Sequence, residues 1–318
     1  MTDLTLSPVG YGAANLGNLH RELTEEESWA ILDAAWEAGI RYFDTAPHYG
    51  LGLSEIRLGA FLRTKPRDEF VLSTKVGRLI RPNPDDRGTL DLENFFHVPA
   101  DLRRVWDFRS SGIRASLEES LNRLGLDRVD VLYLHDPERY DLRRGIDEAL
   151  PALVHLRNEG SVSQIGVGSM DTAALLAAAE TGVLDLLMIA GRYTLAEQPA
   201  LVDVIPACER NGVGVVNASI FNSGILASSR PGSDSRYDYG DVPNELLERV
   251  RAIAATCAEF DVELPTAAVQ FAARNPVVRS VVLGGSTPAQ LRDSVRRMAE
   301  PVPAALWAAL AERELVPA

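Results

Sequence analysis

The sequence predicts an α/β fold, a single (β/α)8 TIM-type barrel, on three observations. Short apolar runs alternate with longer amphipathic stretches along the chain. The apolar runs number eight, the count that closes into a barrel. No linker divides the 318 residues, so one domain spanning 1–318 is expected, a length such barrels reach.

The elements follow in order. Val9 to Gly12 is the first predicted strand. Thr24 and Glu27 have the spacing of a capping box, and the helix they start (Trp29, Leu32, Ala35, Trp36) ends at Gly39. Arg41 to Asp44 and Phe70 to Lys75 are the second and third strands. Residues 76–109 interrupt the rhythm with Pro82, Pro84, Gly88 and Pro99, and their aromatics predict an ordered loop. Ile113, Leu117, Leu121 and Leu124 recur at helical spacing. The remaining strands are predicted at 129–135, 162–168, 186–190, 213–217 and 280–283, with helices over 172–180, 201–210, 246–260 and 266–274 between them. An open doubly wound sheet is the competing fold. Against it, Gly10-Tyr11-Gly12-Ala13-Ala14-Asn15 lacks the third glycine of a dinucleotide-binding turn.

Composition narrows the function. A net charge of −13 repels phosphate backbones, so nucleic acid is not an expected partner. Cys208 and Cys257 are too few for a disulfide scaffold and their spacing indicates no metal site. Met1-Thr2-Asp3-Leu4 does not read as a secretory signal, and no apolar run approaches membrane-spanning length. The expected setting is the cytoplasm. Oligomeric state is not legible.

Barrel active sites lie at the C-terminal ends of the strands. Asp44, Lys75 and His135 fall at such ends, and Tyr49 lies in the loop after the second strand. Taken singly, the aspartate is a helix cap, the lysine a surface residue, the histidine structural and the tyrosine a wall. Together they form a proton-transfer set. A free tyrosine titrates near about 10, and an adjacent ammonium stabilises its phenolate. Lys75 supplies that charge, Asp44 pairs with Lys75, and His135 orients a substrate oxygen. Such a set suits proton transfer coupled to hydride transfer.

These segments resemble the aldo-keto reductase family. Phe43-Asp44-Thr45-Ala46-Pro47-His48-Tyr49-Gly50 is similar to its Asp and Tyr motif, Ser73-Thr74-Lys75-Val76-Gly77 to its lysine strand, and Leu132-Tyr133-Leu134-His135-Asp136 to its histidine strand. The resemblance covers nearly the whole chain and assigns catalysis to Asp44, Tyr49, Lys75 and His135. His135-Asp136-Pro137, Asp107-Phe108 and Ala190-Gly191-Arg192-Tyr193-Thr194-Leu195 resemble the branch that oxidises aldoses at carbon 1, which includes D-threo-aldose (L-fucose) dehydrogenases and to which L-galactose and pyridoxal 4-dehydrogenases are similar. The implied reaction turns a sugar hemiacetal into a lactone. The alternatives are a pyridoxal 4-dehydrogenase or general aldehyde/ketone reductase and a cofactor-binding regulatory subunit; the complete tetrad argues against the last.

The resemblance also implies a nicotinamide cofactor held by Ala13, Ala14, Asp44, Ser169, Arg192, Ser219, Phe221, Ser223, Gly224, Leu226, Gly284, Ser286, Gln290 and Ser294. Substrate contacts are implied at His48, Tyr49, Trp106, Phe108, His135 and Arg192, with Ala14 as a further wall. Several positions depart from the family. Its Ser-Asn pair for the carboxamide is Gly168-Ser169, its sixth-strand Gln is Ala190, and its stacking aromatic falls at Ala218. The Lys and Arg that hold a 2′-phosphate fall at Gly284 and Gln290, so NAD is the expected cofactor, with NADP allowed through Arg292. Thr287 and Pro288 predict a helix start beside that pocket.

Overall fold

A computed structural model describes residues 4–86, 88–232, 235–238 and 240–317. Residues 1–3 of the N-terminal segment and Arg87 of the 76–109 segment lie outside the described residues. Eight parallel strands close into a barrel in sequential order: β1 Val9–Gly12, β2 Tyr42–Asp44, β3 Val71–Val76, β4 Val131–His135, β5 Gln164–Ser169, β6 Leu186–Ala190, β7 Gly214–Ala218 and β8 Val278–Leu283, which returns to β1. The helices that follow are α1 Glu25–Glu37, α2 Leu53–Leu62, α3 Ser110–Leu124, α4 Leu150–Asn158, α5 Thr172–Glu180, α6 Val204–Asn211, α7 Leu264–Phe271 and α8 Pro288–Met298. Two further helices, Asn244–Ala258 and Ala304–Glu312, pack on each other outside the ring.

The expected capping box forms. Glu27 N–H donates to Thr24 Oγ1 at 3.1 Å, and Thr24 N–H donates to Glu27 Oε2 at 2.8 Å. Three acidic residues fill the first turn of α1, where the helix dipole favours them. Among the described residues no helix is long and apolar enough to cross a membrane.

Residues 76–109 depart from expectation. They form an antiparallel hairpin, Arg78–Pro82 against Leu102–Trp106, joined by short turns. The half-buried/exposed alternation of Leu102–Trp106 marks a strand with one wet face. Arg103 on the wet face and Arg104 on the half-buried face interrupt the apolar pattern and hide the strand from a sequence reading. Arg104 fixes the hairpin to the barrel rim, paired with Asp91 at 2.6 Å and donating to the His48 carbonyl at 2.7 Å.

Side chains alternate between barrel interior and helix layer with period two. Phe43, Leu72, Val76, Leu132 and Leu134 face outward into one core with the helices. Tyr42, Val131, Tyr133, Leu186, Met188, Val216 and Val282 fill the interior. Small residues make room for the inward rings. A Cβ on Gly166 would lie 2.6 Å from the Tyr133 ring and 2.5 Å from the Leu186 carbonyl oxygen. Gly166→Ala is therefore expected to destabilise the fold by about 1–3 kcal/mol, read as a lower urea midpoint with the slope unchanged.

Candidate active site

The last inward position on each of three adjacent strands carries a charged or titratable group: Asp44 on β2, Lys75 on β3 and His135 on β4. Period-two alternation puts all three in the barrel mouth. The Lys75 ammonium donates to Asp44 Oδ2 at 2.5 Å and to the Thr45 carbonyl at 3.0 Å. Both side chains of the pair are almost wholly buried, 2% and 4% exposed. Burial pulls the Lys75 pKa down, but the charges of Asp44 and Tyr49 outweigh it and the net shift is upward. Lys75 therefore stays an ammonium through the neutral range.

A chain of hydroxyls continues beneath Asp44. Ser73 donates to Asp44 Oδ1 at 2.7 Å. Its proton being committed, Ser73 accepts from Tyr42 at 3.0 Å, and Tyr42 accepts from Tyr133 at 3.3 Å. Burial raises both phenols, so they remain neutral donors. Asp44 is held as an acceptor from both sides.

Tyr49 sits in the loop between β2 and α2. Its N–H bonds the Ala46 carbonyl, and its carbonyl accepts from Ser54 N–H. Gly50, at φ +60°, crosses Gly17 so closely that a Cβ there would lie 2.3 Å from the Gly17 carbonyl oxygen. Only glycine allows that approach. The contact locks the loop and presents Tyr49 to the mouth. Lys75 Nζ lies 4.8 Å from the Tyr49 ring centre, and the His135 ring stands edge-on at 5.9 Å. Behind the loop, Glu55 on α2 is fully buried between Thr74 of β3 at 2.7 Å and Arg123 of α3 at 2.6 Å.

Two histidines share the mouth. His135 and His48 lie 5.6 Å apart, and burial followed by nearby cations, Arg78 first, holds both well below the ordinary histidine pKa. Both are neutral rings. His48 Nδ1 is buried and has no hydrogen-bond partner among the described residues.

The opposite rim, at β5 to β8, is polar. Ser169 at the end of β5 donates to Glu138 Oε1 at 2.8 Å, while Glu138 Oε2 is buried without a partner among the described residues. Burial raises the Glu138 carboxyl above its ordinary value. After β7, Ser219, Asn222, Ser223 and Gly224 all take positive φ, and Asn222 donates to the Gly191 carbonyl at 3.2 Å. Ser219 and Ser223 are exposed, Phe221 and Gly224 half-buried. After β8, Thr287 caps α8 as expected, accepting from Gln290 N–H at 3.2 Å. Gln290 Oε1 in turn accepts from Ser286 N–H at 3.0 Å and from its hydroxyl. Gly284 is exposed beside them, and Ser294 lines the inner side of α8. Among the described residues no group of acids, histidines or cysteines is arranged to hold a metal ion.

Residues 8–314 match the Aldo/keto reductase family. The chain belongs to that family. It is 60% identical over 315 residues to a D-threo-aldose 1-dehydrogenase from a Pseudomonas species, covering 99% of this chain and 96% of that protein. It is 35% identical to the pyridoxal 4-dehydrogenase of Microbacterium luteolum, covering 99% and 96%. A solved aldo-keto reductase of Bacillus halodurans shares the fold at a TM-score of 0.78 and 24% identity, covering 99% of this chain and 94% of that one. This aldo/keto reductase is thus an oxidoreductase that works with a nicotinamide cofactor.

The structure corrects several expected contacts within this aldo/keto reductase. Phe108 is fully buried beneath Trp106 and Tyr140, so it supports the rim and offers no face to a substrate. The side chains of Ala13 and Leu226 are likewise in the core and leave only their backbone for a ligand; Ala14 is half-buried. All three guanidinium nitrogens of Arg192 are engaged, with Met170 O at 2.7 Å, Glu197 at 3.1 Å and Asp238 at 2.6 Å. Arg192 clamps the segment around Asp238 onto the β5 and β6 ends, in place of the expected ligand contact. Trp106 is half-buried on the rim and stacks on Tyr140 at 5.6 Å. Two residues that sequence reasoning passed over stand in the site, Arg78 and Glu138. Neither belongs to a local pattern, although both follow closely after the Lys75 and His135 strand ends.

Proposed function

We propose that this chain oxidises an aldose hemiacetal at carbon 1 to the lactone, preferring NAD, with Asp44, Tyr49, Lys75 and His135 as the catalytic set. The observation that carries the chemistry is the buried Lys75–Asp44 pair lying directly against Tyr49. When bound, the nicotinamide supplies the hydride acceptor. Tyr49, as phenolate, takes the hydroxyl proton. Lys75 balances that charge and Asp44 keeps Lys75 in place. His135 hydrogen-bonds the sugar oxygen. His48 Nδ1 is uncommitted and suits a neighbouring hydroxyl, and Trp106 offers an aromatic wall.

The rim fits the cofactor. With the Ser169 proton committed to Glu138 Oε1, the orphan Glu138 Oε2 is left as an acceptor suited to the N–H group of a primary carboxamide. The positive-φ turn at 219–224, with Gly224, suits the pyrophosphate, and the start of α8 with Ser286, Gln290 and Ser294 suits the adenosine ribose. The cations near that pocket are paired: Arg292 lies 3.6 Å from Glu37, and Arg21 pairs with Glu27 while donating to the Ser286 carbonyl. A ribose hydroxyl is better served there than a phosphate. The kcat/KM for NAD is expected to exceed that for NADP by about tenfold or more; equal or better use of NADP would reverse the assignment.

The substrate class draws support from the resemblance to D-threo-aldose 1-dehydrogenase. Pyridoxal is the second reading, supported by the 35% identical pyridoxal dehydrogenase and by pyridoxal's own internal hemiacetal. Initial rates at 340 nm with L-fucose, D-arabinose, L-galactose and pyridoxal separate the two. The sugars are expected to lead, and turnover confined to simple aldehydes with NADPH would sink both. The cytoplasm is the proposed setting: Cys208 and Cys257 are free, buried thiols pushed up to about 12, with no disulfide to need an oxidising compartment.

A further inference from the structure

His135 is the one member of the tetrad whose neutral form has two tautomers. A neutral imidazole holds its proton on either ring nitrogen, and only a protonated Nε2 can donate to a substrate oxygen on that side. The neighbours of the ring decide between the two.

Arg78 opens the hairpin that follows β3. It is 4% exposed, yet fully placed by three contacts. One terminal nitrogen lies 2.9 Å from His135 Nδ1. The other donates to Asp136 Oδ2 at 2.8 Å. The guanidinium plane sits 4.3 Å over the Trp106 ring. A guanidinium has donors and no acceptor. His135 Nδ1 must therefore accept, which forces the proton onto Nε2. The second ring nitrogen agrees: Nε2 lies 3.6 Å from the same Asp136 Oδ2 that Arg78 holds, an acceptor too distant to bond it but of the right sign for an N–H.

We infer that Arg78 is a positioning residue that fixes His135 as the neutral Nε2–H tautomer, so that His135 serves only as a hydrogen-bond donor and Tyr49 alone accepts the proton. The inference rests on the proposed role of His135 in holding the substrate oxygen. The other groups facing the ring are Lys75 from β3, His48 and Tyr49 from the loop after β2, and Asp136 and Arg139 from the loop after β4. Lys75, Arg139 and Arg78 itself oppose a second proton on the ring, and the one carboxylate is already paired with Arg78. Asp136 is itself held at φ +44° by its N–H bond to the Gly168 carbonyl, which fixes the acceptor for Arg78.

Long-range 15N NMR of the five histidines in the ligand-free protein tests this, the His135 signal being identified by its loss in His135→Asn. The native spectrum is expected to show Nε2 protonated, Nδ1 bare and no titration between about pH 5.5 and 8. In Arg78→Met, which removes the largest of the nearby cations and leaves the burial, the His135 titration is expected to move upward from its native position, carrying an acid limb in kcat with it. At pH 7 kcat is expected to fall about 10- to 100-fold while KM moves little. Arg78→Lys, which keeps a charged donor, is expected to restore part of the tautomer bias. A native His135 with its proton on Nδ1, or one titrating normally in that range, would overturn the inference even if no Arg78 variant folds. The spectrum needs no substrate, so a failure of the sugar assay and a failure of the tautomer assignment are told apart.

Discussion

Replacing Tyr49 by Phe is expected to lower kcat by about 10²- to 10⁴-fold, the usual contribution of a positioned proton-transfer group. The ring would keep its place against Phe96 and His135, at 6.3 and 5.9 Å. The loop is anchored by its backbone and by the Gly17–Gly50 crossing, so the fold should be undisturbed. NADH affinity, followed by fluorescence, should stay close to native, because the rim that fits the cofactor belongs to β5 to β8. The combination identifies a chemical role: lost turnover with retained binding. Unchanged turnover on every substrate would remove Tyr49 from the mechanism, and with it the proposed activity.

The second large effect concerns the pair beneath it. Lys75→Met keeps the length of the side chain and removes its charge, leaving Asp44 buried without its cation. Removing one partner of a buried pair costs about 3–5 kcal/mol, so a marked fall in the urea midpoint is expected together with loss of activity. Substituting Asp44→Leu as well should recover much of the stability, because two apolar groups replace two charges, but none of the turnover. A double variant as unstable as the single one would mean that the Thr45 and Ser73 bonds, rather than the charge pair, hold this region. The pH dependence follows in sign. The native pKa of Lys75 is raised, so its stabilisation is fully present below the ordinary lysine value of about 10.4 and fades as pH climbs through the raised native value. The stability gap between native protein and Lys75→Met should hold steady from neutrality to about 10.4 and narrow above it.

Much of the site was legible because it obeys local rules. Asp44, Lys75 and His135 each close an apolar strand, and strand ends in a barrel of this handedness converge on one mouth. The capping box at Thr24 and the start of α8 at Thr287 follow from side-chain chemistry within four residues, and both form as expected. Helices α2 and α4 and the helix Ala304–Glu312 escaped notice, having weak amphipathic contrast: they are apolar on most sides or begin without a polar cap.

The sequence by itself determined the eight-strand alternation, the family and which four residues are proposed for catalysis. Each of these depends on short-range periodicity or on contiguous motifs. Only the tertiary structure decided which side chains are already engaged. Arg192 and Phe108 stand in segments that suit a binding site, but Asp238, 46 residues away, occupies the first, and the rim aromatics bury the second. Arg78 meets His135 across 57 residues, and the tautomer it sets is invisible to any pattern along the chain. Hydrogen-bond satisfaction is a property of atoms brought together from distant strands. A linear sequence specifies which donors and acceptors exist; the closed barrel specifies which are still free.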